Sequence, residues 1–128
     1  MLGKTKAYSG FAVNDLARAK EFYGGTLGID IEVLSEEGGL IQLELEGGNR
    51  PTLVYAKDDL DPANYTILNF PVDDIDVAVD ALSGKGVEFE RYEGFDQDEK
   101  GIARGNGPDI AWFKDPAGNI LSVLRQPD

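Results

Sequence analysis

The stretch "WFKDPAGNILSV" (residues 112–123) decides how this chain folds. Two apolar runs flank Asp115-Pro116-Ala117-Gly118-Asn119. Pro116 presets φ at the first turn position, and Gly118 can take the positive φ of the bulge that follows a type I turn. If Asp115 and Asn119 pair, Trp112 faces Ser122, Phe113 faces Leu121 and Ile110 faces Leu124. Side chains alternate between the two faces of a strand. Phe113, Leu121 and Val123 therefore share one face, and Trp112 and Ser122 share the other.

Working outward, the chain repeats itself. "FAVNDLARAKEFY" (11–23) aligns with "FPVDDIDVAVDAL" (70–82), matching Phe11 with Phe70, Val13 with Val72, Asp15 with Asp74, Leu16 with Ile75 and Ala19 with Ala78. "GIDIE" (28–32) then meets "GVEFE" (86–90), and "EGGN" (46–49) meets "PAGN" (116–119). Matches in the same order along the chain point to a duplication. Each half opens on a strand, "AYSGFAV" (7–13) or "YTILNFPV" (65–72). An Asn-Asp or Asp-Asp pair follows, as an N-cap should. Leu16, Ala19, Phe22 and Tyr23 form one helical stripe, and Ile75, Ala78, Val79 and Leu82 another, each suited to a helix laid on a sheet. Gly24-Gly25 and Gly84 are expected to close them. Strand-like runs come next: 29–34, 40–45 and 52–56 in the first half, and 87–92, 109–114 and 120–125 in the second. The order is β-α-β-β-β, twice, within one domain of two halves (about 5–57 and 64–126).

Composition narrows the chemistry. The chain has 128 residues, enough for a core without staples. It has no cysteine and no histidine, so disulfides, thiolate sites and the commonest general base are excluded. The start "MLGKTKAYSG" lacks a signal-peptide core, and no run reaches the roughly 18 apolar residues of a membrane span. A cytoplasmic protein is expected. The formal net charge of −12 repels nucleic acid and anionic lipid and attracts cations.

The repeat carries the hairpin's face assignment to the first half. There Gln42 takes the place of Trp112 and Thr52 that of Ser122. Ile41, Leu43, Leu45 and Leu53 are then expected on the helix side, with Gln42, Glu44, Thr52 and Val54 opposite. Tyr8, Gly10 and Ala12 join the open face of the first half, and Ile67 and Asn69 that of the second. Tyr8, Gln42, Thr52, Asn69, Trp112 and Ser122 are the candidate ligand-binding residues. Trp112 is open to two readings, a stacking platform or a packing residue. Tyr8 can hydrogen-bond a ligand or simply form a wall, and Asn69 can orient a carbonyl or pair within the sheet. Ser122 has no histidine to activate it as a nucleophile. "DQDEKG" (96–101) starts like a calcium loop, but its twelfth position is Gly107, which fails that motif. The segment 92–108, rich in Gly and charge, reads as a lid with Phe95 dipping inward, or as a plain surface loop.

The doubled β-α-β-β-β unit, "VNDLARAKEFY…LG" and "WFKDPAGNILSV" resemble the vicinal oxygen chelate superfamily, which includes glyoxalase I, bleomycin-resistance proteins and ring-cleaving dioxygenases. The resemblance implies an α+β fold whose two βαβββ modules form a curled mixed sheet, a cup, with the helices on its outer face. It also implies a homodimer. Metal enzymes of this superfamily carry one His, Gln or Glu on the first and fourth strand of each half. Carried over, those positions are Tyr8, Thr52, Ile67 and Ser122. None is a usual ligand for a catalytic divalent metal. The expectation is a protein with no metal and no cofactor that binds a small aromatic or cationic molecule. A lyase or isomerase with an atypical metal site, or none, is the alternative that the resemblance also allows.

Overall fold

Asp15 and Asp74, the residues matched by the repeat, cap the two helices. Asp15 Oδ1 accepts from the Arg18 N–H at 3.1 Å, and Asp74 Oδ1 accepts from the Val77 N–H at 3.1 Å. A computed structural model of the chain describes residues 1–46, 51–105 and 107–125. It has two compact units, dividing between Pro62 and Ala63. The first unit holds β1 (Gly10–Val13), α1 (Leu16–Lys20), β2 (Asp30–Ser35), β3 (Leu40–Glu44) and β4 (Thr52–Ala56), with sheet order β1-β4-β3-β2. The second holds β5 (Thr66–Val72), α2 (Ile75–Gly84), β6 (Ile110–Lys114) and β7 (Ile120–Arg125), with order β5-β7-β6. In each sheet the opening strand runs parallel to the last and the other pairs are antiparallel. The fold class is therefore α+β, with two helices and two mixed sheets.

The helical stripes supply the cores. Ala19 and Tyr23 are buried with Val13, Ile41, Leu43 and Val54 in the first unit. Ile75 and Val79 are buried, as are Phe113, Leu121 and Val123, and α2 packs on β7. Fully burying a side chain of this size is worth roughly 1.5–3 kcal/mol.

Four expectations need correction. The Gly24-Gly25 pair does not stop the first helix, which widens into a π turn over Glu21–Thr26. The Leu27 N–H reaches Phe22 O at 2.9 Å, and the left-handed residue that closes the helix is Gly28 (φ 73°). The wider turn keeps Tyr23 fully buried against Phe11 and Phe22.

The expected strand over 87–92 is reduced to one bridge, between Phe89 and Phe113. The backbone groups that would extend it go elsewhere. Gln97 Oε1 accepts from the Tyr92 N–H at 2.8 Å, and Gln97 Nε2 donates to Glu90 O at 2.9 Å. A side chain has taken the place of a strand.

Thr52 faces Leu43, and Leu53 faces Gln42. This is one residue away from the register carried over by the repeat. Five residues separate the last paired positions of the β6–β7 hairpin, Lys114 and Ile120, and eight separate Leu43 from Thr52. An odd count became an even one, and a one-residue shift exchanges the two faces of a strand. Thr52 and Val54 thus lie on the face of Ile41 and Leu43, and Leu53 lies on that of Gln42. The segment 47–50 falls outside the described residues.

The last difference is in β5. Thr66 pairs with Ile120 and Leu68 with Leu121, so Ile67 is the extra residue of a bulge rather than a regular neighbour of Asn69.

Candidate functional site

The opening turn forms as its chemistry requires. The Asp115 N–H donates to Asn119 O and the Gly118 N–H to Asp115 O, both at 3.0 Å, and Gly118 has φ 94°. The buried Asp115 carboxylate accepts from the N–H groups of Ala117 and Asn119 at 2.9 Å and from Asn119 Nδ2 at 3.0 Å. The resulting register sets Trp112 opposite Ser122, Phe113 opposite Leu121 and Ile110 opposite Leu124. Asn69 on β5 is the partner of Ser122 on its other side. Trp112, Ser122 and Asn69 therefore form one row across the second sheet. The Ser122 hydroxyl, fully buried, donates to Asn69 Oδ1 at 2.6 Å.

Trp112 is itself covered, with 8% of its surface exposed. It packs with Ala103, Ile110, Ile120 and Tyr92. The Tyr92 ring meets it edge-on, with centroids 5.5 Å apart, and Phe95 comes to 4.8 Å at 61°. Of the two readings of Trp112 the structure shows the packing one: Ile110 and Ile120 flank it, and the 92–103 segment lies over it through Tyr92, Phe95 and Ala103. Tyr92 was not singled out by sequence reasoning, because it sat in what read as the end of a strand.

That segment is tied down at both ends. Ala103 and Ile110 exchange two backbone hydrogen bonds, at 2.8 and 3.1 Å. Asp98 Oδ1 accepts from the Lys100 and Ile102 N–H groups at 2.9 Å, which makes "DQDEKG" a self-capped turn. The Arg91 guanidinium donates to the carbonyls of Asp98 and Glu99 at 2.6 Å. Arg104 reaches Asp76 and Asp109 at 3.1 Å and Asp98 at 3.3 Å, and Lys100 reaches Asp80 at 3.0 Å. The pairs to Asp76 and Asp80 fasten the segment to α2. Arg104 and Lys100 hold the Asp76 carboxyl below its ordinary value. Burial pushes Asp98 up, but the N–H groups of Ile102 and Lys100, with Arg104, outweigh it and leave that carboxyl lowered.

The first unit offers a second, separate feature. Tyr8, Leu34, Gln42, Pro51 and Leu53 line a hollow of about 120 Å³. Gln42 Nε2 donates to Glu32 Oε2 at 2.7 Å and Glu44 Oε1 at 2.8 Å, so two carboxylates flank it. Tyr8 is more than half exposed there, at 57%. Of the six candidate residues, the structure places Tyr8 and Gln42 together here and Asn69, Ser122 and Trp112 together in the second unit. Thr52 joins neither set. Among the described residues, no three His, Cys, Asp or Glu side chains are grouped as metal ligands would be.

The model of the Glyoxalase/Bleomycin resistance protein/Dioxygenase superfamily matches residues 7–123, and the chain belongs to that superfamily. No curated protein matches the sequence. Among solved structures, the chain is similar to TnmS3, an antibiotic binding protein from Streptomyces sp. CB03234, at 22% identity with a TM-score of 0.72 over 97% of this chain and 98% of that one. A glyoxalase family protein from Bacillus anthracis aligns at 19% identity with a TM-score of 0.71, over 99% of this chain and all of that one (100%). A glyoxalase/dioxygenase from Nostoc punctiforme aligns at 15% identity with a TM-score of 0.66, over 98% and 92%. At these identities the likeness is one of fold. No helix among the described residues is long and apolar enough to cross a membrane.

Proposed function

We propose that this protein binds a small molecule without a metal, in the manner of the bleomycin-resistance branch of its superfamily, and that the ligand is a compact aromatic or cationic compound. One observation carries the reading. Carried over from the resemblance, the four positions at which metal enzymes of the superfamily place ligands are Tyr8, Thr52, Ile67 and Ser122, and none of these is a usual ligand for a catalytic divalent metal. The register change strengthens it, because Leu53, which stands in for Thr52 beside Gln42, is no ligand either. Ser122 already spends its proton on Asn69. What remains for recognition is the Trp112 row in the second unit, covered by Tyr92 and Phe95, and the Tyr8–Gln42 hollow in the first, where Gln42 is held by Glu32 and Glu44. A protein of net charge −12 draws cations toward either, and an aromatic ring can hold one by about 0.5–2 kcal/mol. TnmS3, similar in fold, is an antibiotic binding protein, which agrees with this class of role.

Two measurements test it. Freshly purified protein should carry less than stoichiometric zinc, nickel, iron or manganese; one equivalent of any of them refutes the metal-free reading. A library of planar and cationic compounds, screened by the emission of Trp112, the only tryptophan, should yield binders that shift it. Trp112→Leu should weaken those binders about tenfold, roughly 1.4 kcal/mol. A compound that binds stoichiometrically with neither change places recognition away from Trp112.

A further inference from the structure

The Tyr92 hydroxyl is buried and has no hydrogen-bond partner. A buried, unsatisfied polar group is costly and calls for an explanation. Burial, and then the nearby Glu90, push its pKa above the ordinary tyrosine value, so at neutral pH the oxygen keeps its proton and remains a donor. Its ring lies against Trp112. Its backbone is fixed, since Gln97 accepts from the Tyr92 N–H while donating to the carbonyls of Glu90 and Gly101 at 2.9 and 2.8 Å.

Phe95, three residues on, is held differently. It covers Trp112 at 4.8 Å yet is 48% exposed. The turn that delivers it closes through a long Phe95 N–H to Tyr92 O contact of 3.4 Å and passes through Gly94 at φ 89°. A ring that is half in water, on a glycine turn with one weak hydrogen bond, is the part of this segment that costs least to move. The ionic clasp and Gln97 hold everything after it.

We propose that Trp112, Tyr92 and Phe95 form an aromatic slot, in which Phe95 swings aside to admit a planar ligand onto Trp112 and the Tyr92 hydroxyl donates a hydrogen bond to an acceptor on that ligand. The inference rests on the small-molecule reading above and narrows it to one class: flat aromatic compounds bearing a ring nitrogen or a carbonyl. Tyr92 then sets specificity, because a donor that the free protein leaves unsatisfied is satisfied only by a ligand with an acceptor.

The test uses quinoline and naphthalene, which share a shape and differ by one acceptor, titrated into the whole 128-residue chain by equilibrium dialysis. Wild type should bind quinoline at least fivefold more tightly than naphthalene. Tyr92→Phe should abolish that preference, leave naphthalene affinity unchanged and leave the thermal midpoint unchanged or raised. Phe95→Ala should bind both compounds more tightly, since no ring has to be displaced. Equal binding of the two compounds by wild type, or a preference that survives in Tyr92→Phe, overturns the assignment to Tyr92 while leaving aromatic binding at Trp112 intact. If neither compound binds, the slot is refuted; if the wider library also leaves Trp112 emission unmoved, the small-molecule reading falls with it.

Discussion

Ser122 and Asn69 show what one hydroxyl decides. The Ser122 side chain is fully buried and its proton goes to Asn69 Oδ1 at 2.6 Å. Removing the acceptor strands the donor, whereas removing the donor leaves a half-exposed amide that water can reach. Asn69→Leu should therefore cost about 1–3 kcal/mol in denaturant unfolding, and Ser122→Ala only about 0.5–1.5. Equal losses from the two would mean that the hydroxyl has another partner. The same reasoning sets Asp115 apart among the many carboxylates of this chain. It is buried, and its oxygens gather the N–H groups that the turn turns inward. Asp115→Ala should cost more than either change at the Ser122 pair, since bonds to a charged acceptor are worth about 1.5–3 kcal/mol each.

Among the elements, the 92–105 segment carries the pH dependence. Asp76 and Asp98 have carboxyls lowered from 3.8 in the folded protein. A group depressed on folding contributes stability above its unfolded value and loses it as pH falls through the folded one. The clasp to α2 should thus be intact above about pH 4 and loosen below it. Hydrogen exchange should report this as faster exchange at the Lys100 and Ile102 amides, which Asp98 holds, while the β6–β7 ladder stays protected. Asp98→Asn should flatten that dependence. Exchange that rises evenly across both regions would show global unfolding instead. Each ion pair is exposed and individually weak, so the clasp acts as a network around Arg104 and not through any single bridge.

At the scale of the whole molecule, charge and association come to the front. A net charge of −12 repels itself, and salt screens that repulsion within about 10 Å at 0.1 M. Added sodium chloride should raise the thermal midpoint up to a plateau; a fall would mean that the Arg104 network outweighs the general repulsion. The superfamily resemblance leads us to propose a homodimer. Exposed apolar side chains such as Val33 and Leu34 on the edge strand β2, at 41% and 44%, are surface that such an association could cover. Light scattering at micromolar concentration should then give twice the chain mass of 13.9 kDa, and a value at 13.9 kDa itself would refute the dimer.

What could be read without a structure was whatever short-range chemistry dictates. The Asp115–Asn119 turn has its own proline, glycine and side-chain acceptor, so the β6–β7 register, and with it the Trp112–Ser122 pair, followed from five adjacent residues. Asp15 and Asp74 marked both helix starts for the same reason. Tertiary structure alone decided the rest. The β3–β4 register depends on the parity of a longer connection, and that moved Thr52 off the face of Gln42. The Gly24-Gly25 pair permits a helix end but does not require one, and packing of Tyr23 carried the helix past it. The second half lost most of a strand because the Gln97 side chain, distant from any pattern of alternation, took the Glu90 carbonyl and the Tyr92 N–H, leaving the Glu90 N–H on Trp112 O. That capture also laid Tyr92 over Trp112, a contact whose spacing carries no periodic signal, whereas the inward turn of Phe95 is one of the two readings the sequence offers for the 92–108 loop.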